Sequence, residues 1–505
     1  MNSSASAPRL LFLDLSGTAL TPDERELLAS RRFAGLTVFR RNVADRFQLA
    51  DYLAEVRELA GPDFLVGADQ EGGRVLRVLD IPMPPPAMAL GAAGDPDLTR
   101  AAAAAAGRAL RSVGINIDFA PVADVNTDPD NPVIAERSFG SNPEEVAKHV
   151  VAFLQGLQDE GIAATVKHFP GHGATNLDSH LALPVLDRDP ERLQEREQVP
   201  FRAAISAGVA GVMSAHIVFS RLDPHLPATL SKKVLGTLLR DSLGFDGAVF
   251  SDALDMQAIT GSYDPVEATL LALEAGIDAP LNIGSVRHHF DIADGVDAAL
   301  AGGRLDPAAL TAAAGRLGAL ARAFPAAEPE PDRSDPEAER ILKEAALRGT
   351  VTSGTLPPFS REQPVTVVYQ VRTMAHDATQ QIVNPGEDFA GLLKERGYRV
   401  KAAGFLPERL NDEPALQDIL DRVQPGSTVM YASSGRAVLD DQEARLVREL
   451  AARHPGRFLH LSFWNPYHVL RLPGPALVTF GFRPLQLEAA LAVLEGETAP
   501  GRLPF

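Results

Sequence analysis

From residue 10 to residue 284 the chain repeats one unit: a short apolar run, then a stretch of helical composition, then the next run. The runs are "LLFLDL" (10–15), "GLTVF" (35–39), "FLVGA" (64–68), "INIDFAP" (115–121), "ATVKHF" (164–169), "GVMSAH" (211–216), "GAVFSD" (247–252) and "DAPLNIG" (278–284). Between them lie segments such as "LTRAAAAAAGRALRSVG" and "PEEVAKHVVAFLQGLQDEG". The second opens on Ser141-Asn142-Pro143 followed by acids and is stopped by Gly161, the punctuation of a helix. Short apolar runs joined by helical crossovers pair in parallel and are covered on both faces. Eight such units predict an α/β chain whose first part, residues 1–325, is a (β/α)8 TIM-like barrel.

The rhythm breaks at "AFPAAEPEPDRSDPEAE" (323–339), where four prolines sit among acids, and a stiff linker is expected over 326–345. Alternation resumes with "PVTVVYQV" (364–371), "YRVKAAGF" (398–405), "STVMYAS" (427–433), "RFLHLSF" (457–463) and "ALVTFGF" (476–482). These five runs predict a C-terminal doubly wound α/β sandwich, residues 346–505, in an accessory role.

In a parallel barrel the chemistry sits at the C-terminal ends of the strands. The third run leads into "DQEGGRVLR", which offers Asp69, Glu71, Arg74 and Arg77; its paired glycines suit a tight turn bringing backbone close to a ligand. The fourth leads through "APVADVN" and "NPVIAERSFG" to Arg137, the sixth ends at His216, and the seventh at Asp252. The fifth runs into "KHFPGHGATNLDSH" (167–180). There Asp178 and His180, two residues apart in extended chain, face the same side, so the carboxylate can orient the imidazole and favour its protonated form. That pairing suits a histidine general acid/base, but it is also compatible with a local turn and an exposed histidine. Asp252 fits either a helix N-cap for "ALDMQAIT" or a carboxylate nucleophile; Asp255, one turn on, is expected to face solvent. Asp69, Arg77, Arg137, Lys167 and His168 suit hydrogen bonds to the hydroxyls of one small polar ligand, or structural salt bridging around a rim. His168, His172, Asp178 and His180 lack the rigid spacing of a helix-borne metal site, so neither metal nor cofactor is expected.

Composition narrows the partners. A net charge of −18 argues against nucleic-acid backbones and anionic membrane surfaces. With no cysteine, disulfides, thiolate nucleophiles and cysteine-based metal centres are excluded. The first apolar run is too short for a secretory signal, and no segment approaches the ~20 apolar residues of a membrane span, so a cytoplasmic location is expected.

"DQEGGRV", "APVADVN", "NPVIAERSFG", "KHFPGHGATNLDSH", "MSAHIVF" and "FSDALDM", in this order between residues 10 and 320, together resemble glycoside hydrolase family 3, and within it the bacterial β-N-acetylglucosaminidase branch. "NPYHVLRLPGPALVTFG" and "GRLPF" resemble the second domain of its longer members. The resemblance implies a retaining exo-β-N-acetylglucosaminidase (β-N-acetylhexosaminidase) acting on small glycans such as muropeptides or chitooligosaccharides. Asp252 would be the nucleophile, His180 the acid/base held by Asp178, and Asp69, Arg77, Arg137, Lys167 and His168 the sugar-binding set. A phosphorylase using phosphate in place of water is the alternative, since a neutral histidine does not repel an incoming anion as a carboxylate would. A β-glucosidase is a further one. Trp464, the single tryptophan, is poor provision for an aromatic sugar platform.

Overall fold

The computed structural model describes residues 7–175, 183–371, 384–435 and 439–505. Seven parallel strands form the first sheet: β1 (Phe12–Leu13), β2 (Gly35–Val38), β3 (Leu65–Ala68), β4 (Ile117–Asp118), β5 (Ala163–Phe169), β7 (Gly211–Ser214) and β9 (Ala248–Phe250), in the order β1-β2-β3-β4-β5-β7-β9. Outside it, β6 (Val185–Leu186) and β8 (Val218–Phe219) make a short parallel pair that the apolar runs did not forecast. The expected eighth strand is present as two isolated parallel bridges, Phe12 to Leu281 and Phe250 to Ala279, which join the edges of the curled sheet. It forms no regular ladder because Pro280 has no N–H to donate. Asp278 instead takes the Val249 N–H on its side chain at 2.8 Å. Inside the curl, Phe250 meets Phe12 and Phe119 edge-on, both at 5.5 Å between centroids.

The second sheet runs β10-β15-β14-β13-β11-β12, with β10 (Val351–Ser353), β11 (Val365–Gln370), β12 (Val400–Phe405), β13 (Thr428–Ser433), β14 (Phe458–Ser462) and β15 (Ala476–Val478). From β11 the chain winds outward to either side, as a doubly wound sheet does; β10 adds an antiparallel edge that was not expected. Residues 336–345, counted with the Pro/acid-rich stretch on composition, are the first turns of the helix Pro336–Gly349. Asp335 caps it by accepting from Ala338 N at 2.9 Å, and Leu342 and Ala345 are buried. Asp335, Pro336 and Glu337 are thus a helix start. This helix packs on Ala87–Ala93 and Pro96–Ser112 of the first domain and on Pro484–Leu494 of the second, fastening the two together. No helix among the described residues is long and apolar enough to cross a membrane.

Candidate active site

The C-terminal ends of β3 and β5 adjoin a buried chain of alternating charge. Lys167 lies within β5, almost wholly buried, with Nζ 2.7 Å from Asp69 Oδ1 and 2.6 Å from Glu71 Oε1. The other Asp69 oxygen accepts from Arg77 Nη2 at 2.7 Å. Glu71 is gripped from its far side by Arg137, whose Nε and Nη2 donate at 2.8 and 2.7 Å in the two-pronged arrangement that a planar guanidinium favours. The sequence of charges is therefore Arg77, Asp69, Lys167, Glu71, Arg137, each neighbour of opposite sign. Burial works against every one of these ions, and only their mutual proximity offsets it. For Glu71 burial opposes ionisation, yet Arg137 and Lys167 outweigh it and hold the carboxyl near 2. Asp69 is held well below the usual carboxylate range by Lys167 and Arg77 in the same way. Lys167 is pushed up by Asp69 and Glu71 despite its desolvation.

His168 extends the array. Its Nδ1–H donates to Asp124 Oδ2 at 2.7 Å, so Nε2 carries the lone pair and faces Arg137 Nη2 at 3.5 Å. Asp124 also accepts from the backbone N–H of His168 and, at 2.7 Å, from that of His172. It thus ties the end of β5 to the segment after β4. Gly173 makes this possible: a Cβ there would fall 2.0 Å from Val125 O. The described glycines of this loop are spent on close approach, Gly171 against Glu197 and Gly173 against Val125, and the loop is pinned as far as Thr175. Gly72 and Gly73 likewise allow close packing: their Cβ atoms would meet Pro84 O at 2.8 Å and Pro86 Cγ at 2.7 Å, so the tight turn brings backbone close to these prolines.

Asp252 stands two residues beyond β9, at the same end of the sheet, half-buried, with Oδ1 accepting from Ala253 N at 2.8 Å. It caps no helix: the next one, Gln257–Thr260, has Met256 at its N-cap, and turns fill 254–255. His216 fixes this segment. Its Nε2–H donates to Ala253 O at 2.9 Å, while Nδ1 pairs with Thr229 Oγ1 at 2.8 Å. His216 is accordingly a strut behind Asp252. Asp255 is exposed, as its spacing suggested, and partial desolvation together with Asp14 and Asp252 raises its carboxyl to about 6. Arg74 turns away from the array to pair with Glu136.

Residues 9–320 match the model of the glycosyl hydrolase family 3 N-terminal domain. The chain belongs to glycosyl hydrolase family 3. It is 43% identical over 273 residues to a β-hexosaminidase of Methylococcus capsulatus, a match covering 53% of this chain and 80% of that protein. A family 3 β-N-acetylglucosaminidase from Paenibacillus sp. superposes with a TM-score of 0.88 at 33% identity, covering 98% of this chain and 97% of that one. NagZ from Neisseria gonorrhoeae, solved in complex with N-trifluoroacetyl-D-glucosamine, matches with a TM-score of 0.59 at 29% identity over 67% of this chain and 98% of its own. The chain is a glycoside hydrolase whose barrel and second domain both have counterparts in family 3.

Of the expected site residues, Asp69, Arg77, Arg137, Lys167 and His168 form one connected cluster, and Asp252 lies at the same end of the sheet. Asp178 and His180 lie outside the described residues. Two members of the cluster stand outside the expected sugar-binding set: Glu71, offered by the third run without a role, and Asp124, not singled out from sequence. Glu71 is the counter-ion shared by Lys167 and Arg137, and Asp124 sets the His168 tautomer. Glu71 had a visible signal, the same-side i+2 relation to Asp69 in "DQE"; Asp124, inside "APVADVN", had none beyond its motif.

Beneath the array lies Asp118, fully buried at the end of β4. Oδ1 accepts from Gln70 N at 3.0 Å, and among the described residues Oδ2 has no hydrogen-bond partner. Burial, with Asp69 and Glu71 adding to it, pushes its carboxyl up to about 8, so it holds a proton at neutral pH. An unfolded aspartate ionises near pH ~3.9. Between these two values the folded chain holds the extra proton, and this group's contribution to stability therefore falls as pH rises from about 4 to about 8. Asp118→Asn, which cannot ionise, is expected to escape that fall. Its melting temperature relative to wild type should climb steadily between pH 5 and pH 8, and a constant difference would show that Asp118 is not protonated.

Proposed function

We propose that this protein is a retaining exo-β-N-acetylglucosaminidase, removing terminal β-linked N-acetylglucosamine from small glycans such as muropeptides or chitooligosaccharides, with a cytoplasmic setting as part of the proposal. The observation that carries it is the Asp69–Lys167–Glu71–Arg137 array facing the same end of the sheet as Asp252. Fixed, charge-paired donors and acceptors suit the several hydroxyls of one uncharged sugar ring. The named activities of the Methylococcus, Paenibacillus and Neisseria proteins support the N-acetyl preference.

In the proposed mechanism an Asp252 oxygen forms a bond to the anomeric carbon as the bond to the leaving oxygen breaks. The His180 imidazolium, kept protonated by Asp178, gives its proton to that oxygen. Water then attacks the glycosyl–Asp252 ester, His180 accepts the water's proton, and Asp252 departs as carboxylate. Two displacements at one carbon restore the β configuration. Asp69, Arg77, Arg137, Lys167 and His168 hold the ring in the −1 subsite throughout.

The test is release of p-nitrophenol from its β-N-acetylglucosaminide, with the sugar product followed by NMR in phosphate-free buffer. Hydrolysis to the β-anomer supports the proposal. Turnover only with added phosphate, giving a sugar 1-phosphate, would make the protein a phosphorylase, and activity confined to β-glucosides would remove the N-acetyl preference. His180→Ala should slow an alkyl or sugar leaving group by about 10²–10⁴-fold and an activated aryl one far less. Equal losses for both would remove His180 from the acid role.

A further inference from the structure

Arg137 reaches the site from a loop whose conformation is set by the second domain. Just before it, Ala135 has φ +41°, a left-handed conformation that costs a non-glycine residue about 1 kcal/mol and persists only where the surroundings enforce it. A set of hydrogen bonds does so. Ala135 N donates to Asn126 Oδ1 at 3.1 Å, and Asn126 Nδ2 donates in turn to the Tyr467 hydroxyl at 2.7 Å. Glu136, between Ala135 and Arg137, has its Oε1 held jointly by Arg74 and by Trp464 Nε1–H, the latter at 3.1 Å. Arg74 also donates to Val133 O at 2.8 Å, the carbonyl that takes a 3.3 Å bond from Arg137 itself.

Both second-domain residues are buried and follow closely on β14, with Trp464 just past the strand and Tyr467 in the short helical turn Pro466–Leu470. Trp464 sits 5.1 Å from Phe482 between ring centroids, and the Arg74 guanidinium lies 5.7 Å from the Trp464 ring. Neither residue belongs to the charge array. Tyr467 is one side chain removed from the loop that aims Arg137, and Trp464 touches that loop directly at Glu136.

We infer that Trp464 and Tyr467 are positioning residues for Arg137, so that the second domain sets the strength of sugar binding without touching the sugar. This rests on the reading of Arg137 as a ligand of the −1 sugar. The chemistry is specific: Tyr467 supplies an oxygen that orients Asn126, and Trp464 supplies an N–H that a carboxylate between two arginine-bearing segments needs. Loss of either frees Ala135–Glu136 to relax toward ordinary backbone angles, and the guanidinium moves with them.

The experiment is a double-mutant cycle on the full chain, read as KM and kcat for p-nitrophenyl β-N-acetylglucosaminide, with melting temperature beside it. Trp464→Phe removes the N–H, and Tyr467→Phe removes one oxygen with almost no change of shape. Each is expected to raise KM by about tenfold, with kcat changed far less. In an Arg137→Ala background the same substitutions should change KM less than twofold, because the residue they act through is gone. Equal losses with and without Arg137 would overturn the inference and leave a merely structural role. So would an unchanged KM in Tyr467→Phe, the variant least able to disturb folding. If Arg137→Ala alone binds and turns over substrate normally, the assignment of Arg137 as a sugar ligand falls, and this inference with it.

Discussion

Asp252→Asn is expected to lower kcat by on the order of 10⁴-fold while the Kd for N-acetylglucosamine stays within a few-fold. The amide keeps the shape of the carboxylate and can still hydrogen-bond, but it has no anionic oxygen with which to form the glycosyl ester. His216 and Thr229 hold the Ala253 segment from behind, so the substitution should leave the backbone in place. Isothermal titration with the sugar and rapid-quench kinetics separate the two effects. A sharper check uses Asp252→Gly with azide: azide attacking the exposed face of an activated glycoside would yield the α-glycosyl azide. Asp255→Asn, the neighbouring acid at the rim, should keep turnover within a few-fold. The opposite pattern, an active Asp252→Asn and an inactive Asp255→Asn, would move the nucleophile by one turn.

Lys167→Met should be the most damaging change in the sugar-binding set, to stability as well as activity. Lys167 touches both Asp69 and Glu71, and it is almost fully buried between them. Without it two carboxylates face each other across a dry gap, with Arg77 and Arg137 each neutralising only the outer side. Breaking a buried pair by removing one partner costs about 3–5 kcal/mol, which for a domain of this size is roughly 5–10 °C in melting temperature. Asp69 and Glu71 should then rise from their depressed values and take up protons. Loss of their acceptors at the ring hydroxyls would appear as higher KM at neutral pH, relieved in part as pH rises. The double variant Lys167→Met with Glu71→Gln relieves the repulsion between the two carboxylates but leaves Arg137 without its anionic partner, so it should recover only part of the lost stability. A melting temperature unchanged in the single variant would show that the array carries no such coupling.

The barrel and the placement of its polar groups were legible because parallel strands buried on both faces must be apolar throughout. A charged residue directly after such a run can only lie at the mouth. Asp69 and Asp252 follow from that rule, whereas Lys167 and His168 lie inside β5 and break its apolar run. What the sequence hid was contact made across strands. Glu71 matters through Arg137, 66 residues away, and Asp124 through His168, 44 residues away; neither relation has a local pattern. The acids at 335–337 misled because a capped helix start and a solvated linker share a composition. Trp464 has its partner Glu136 328 residues away in the other domain, a relation with no local pattern either.

The charge array also bears on how the protein responds to electrolyte. Three cations and two carboxylates alternate within hydrogen-bonding distance, leaving a single net positive charge, and their spacing is far inside the ~10 Å screening length of 0.1 M salt. Mobile ions cannot enter between partners so placed, and an uncharged ring is neither drawn in nor repelled by the −18 carried by the chain as a whole. Substrate capture in such a pocket is a matter of fit to fixed dipoles, so KM should change little from dilute buffer to molar salt, and the same site can serve in a brine as well as in fresh water.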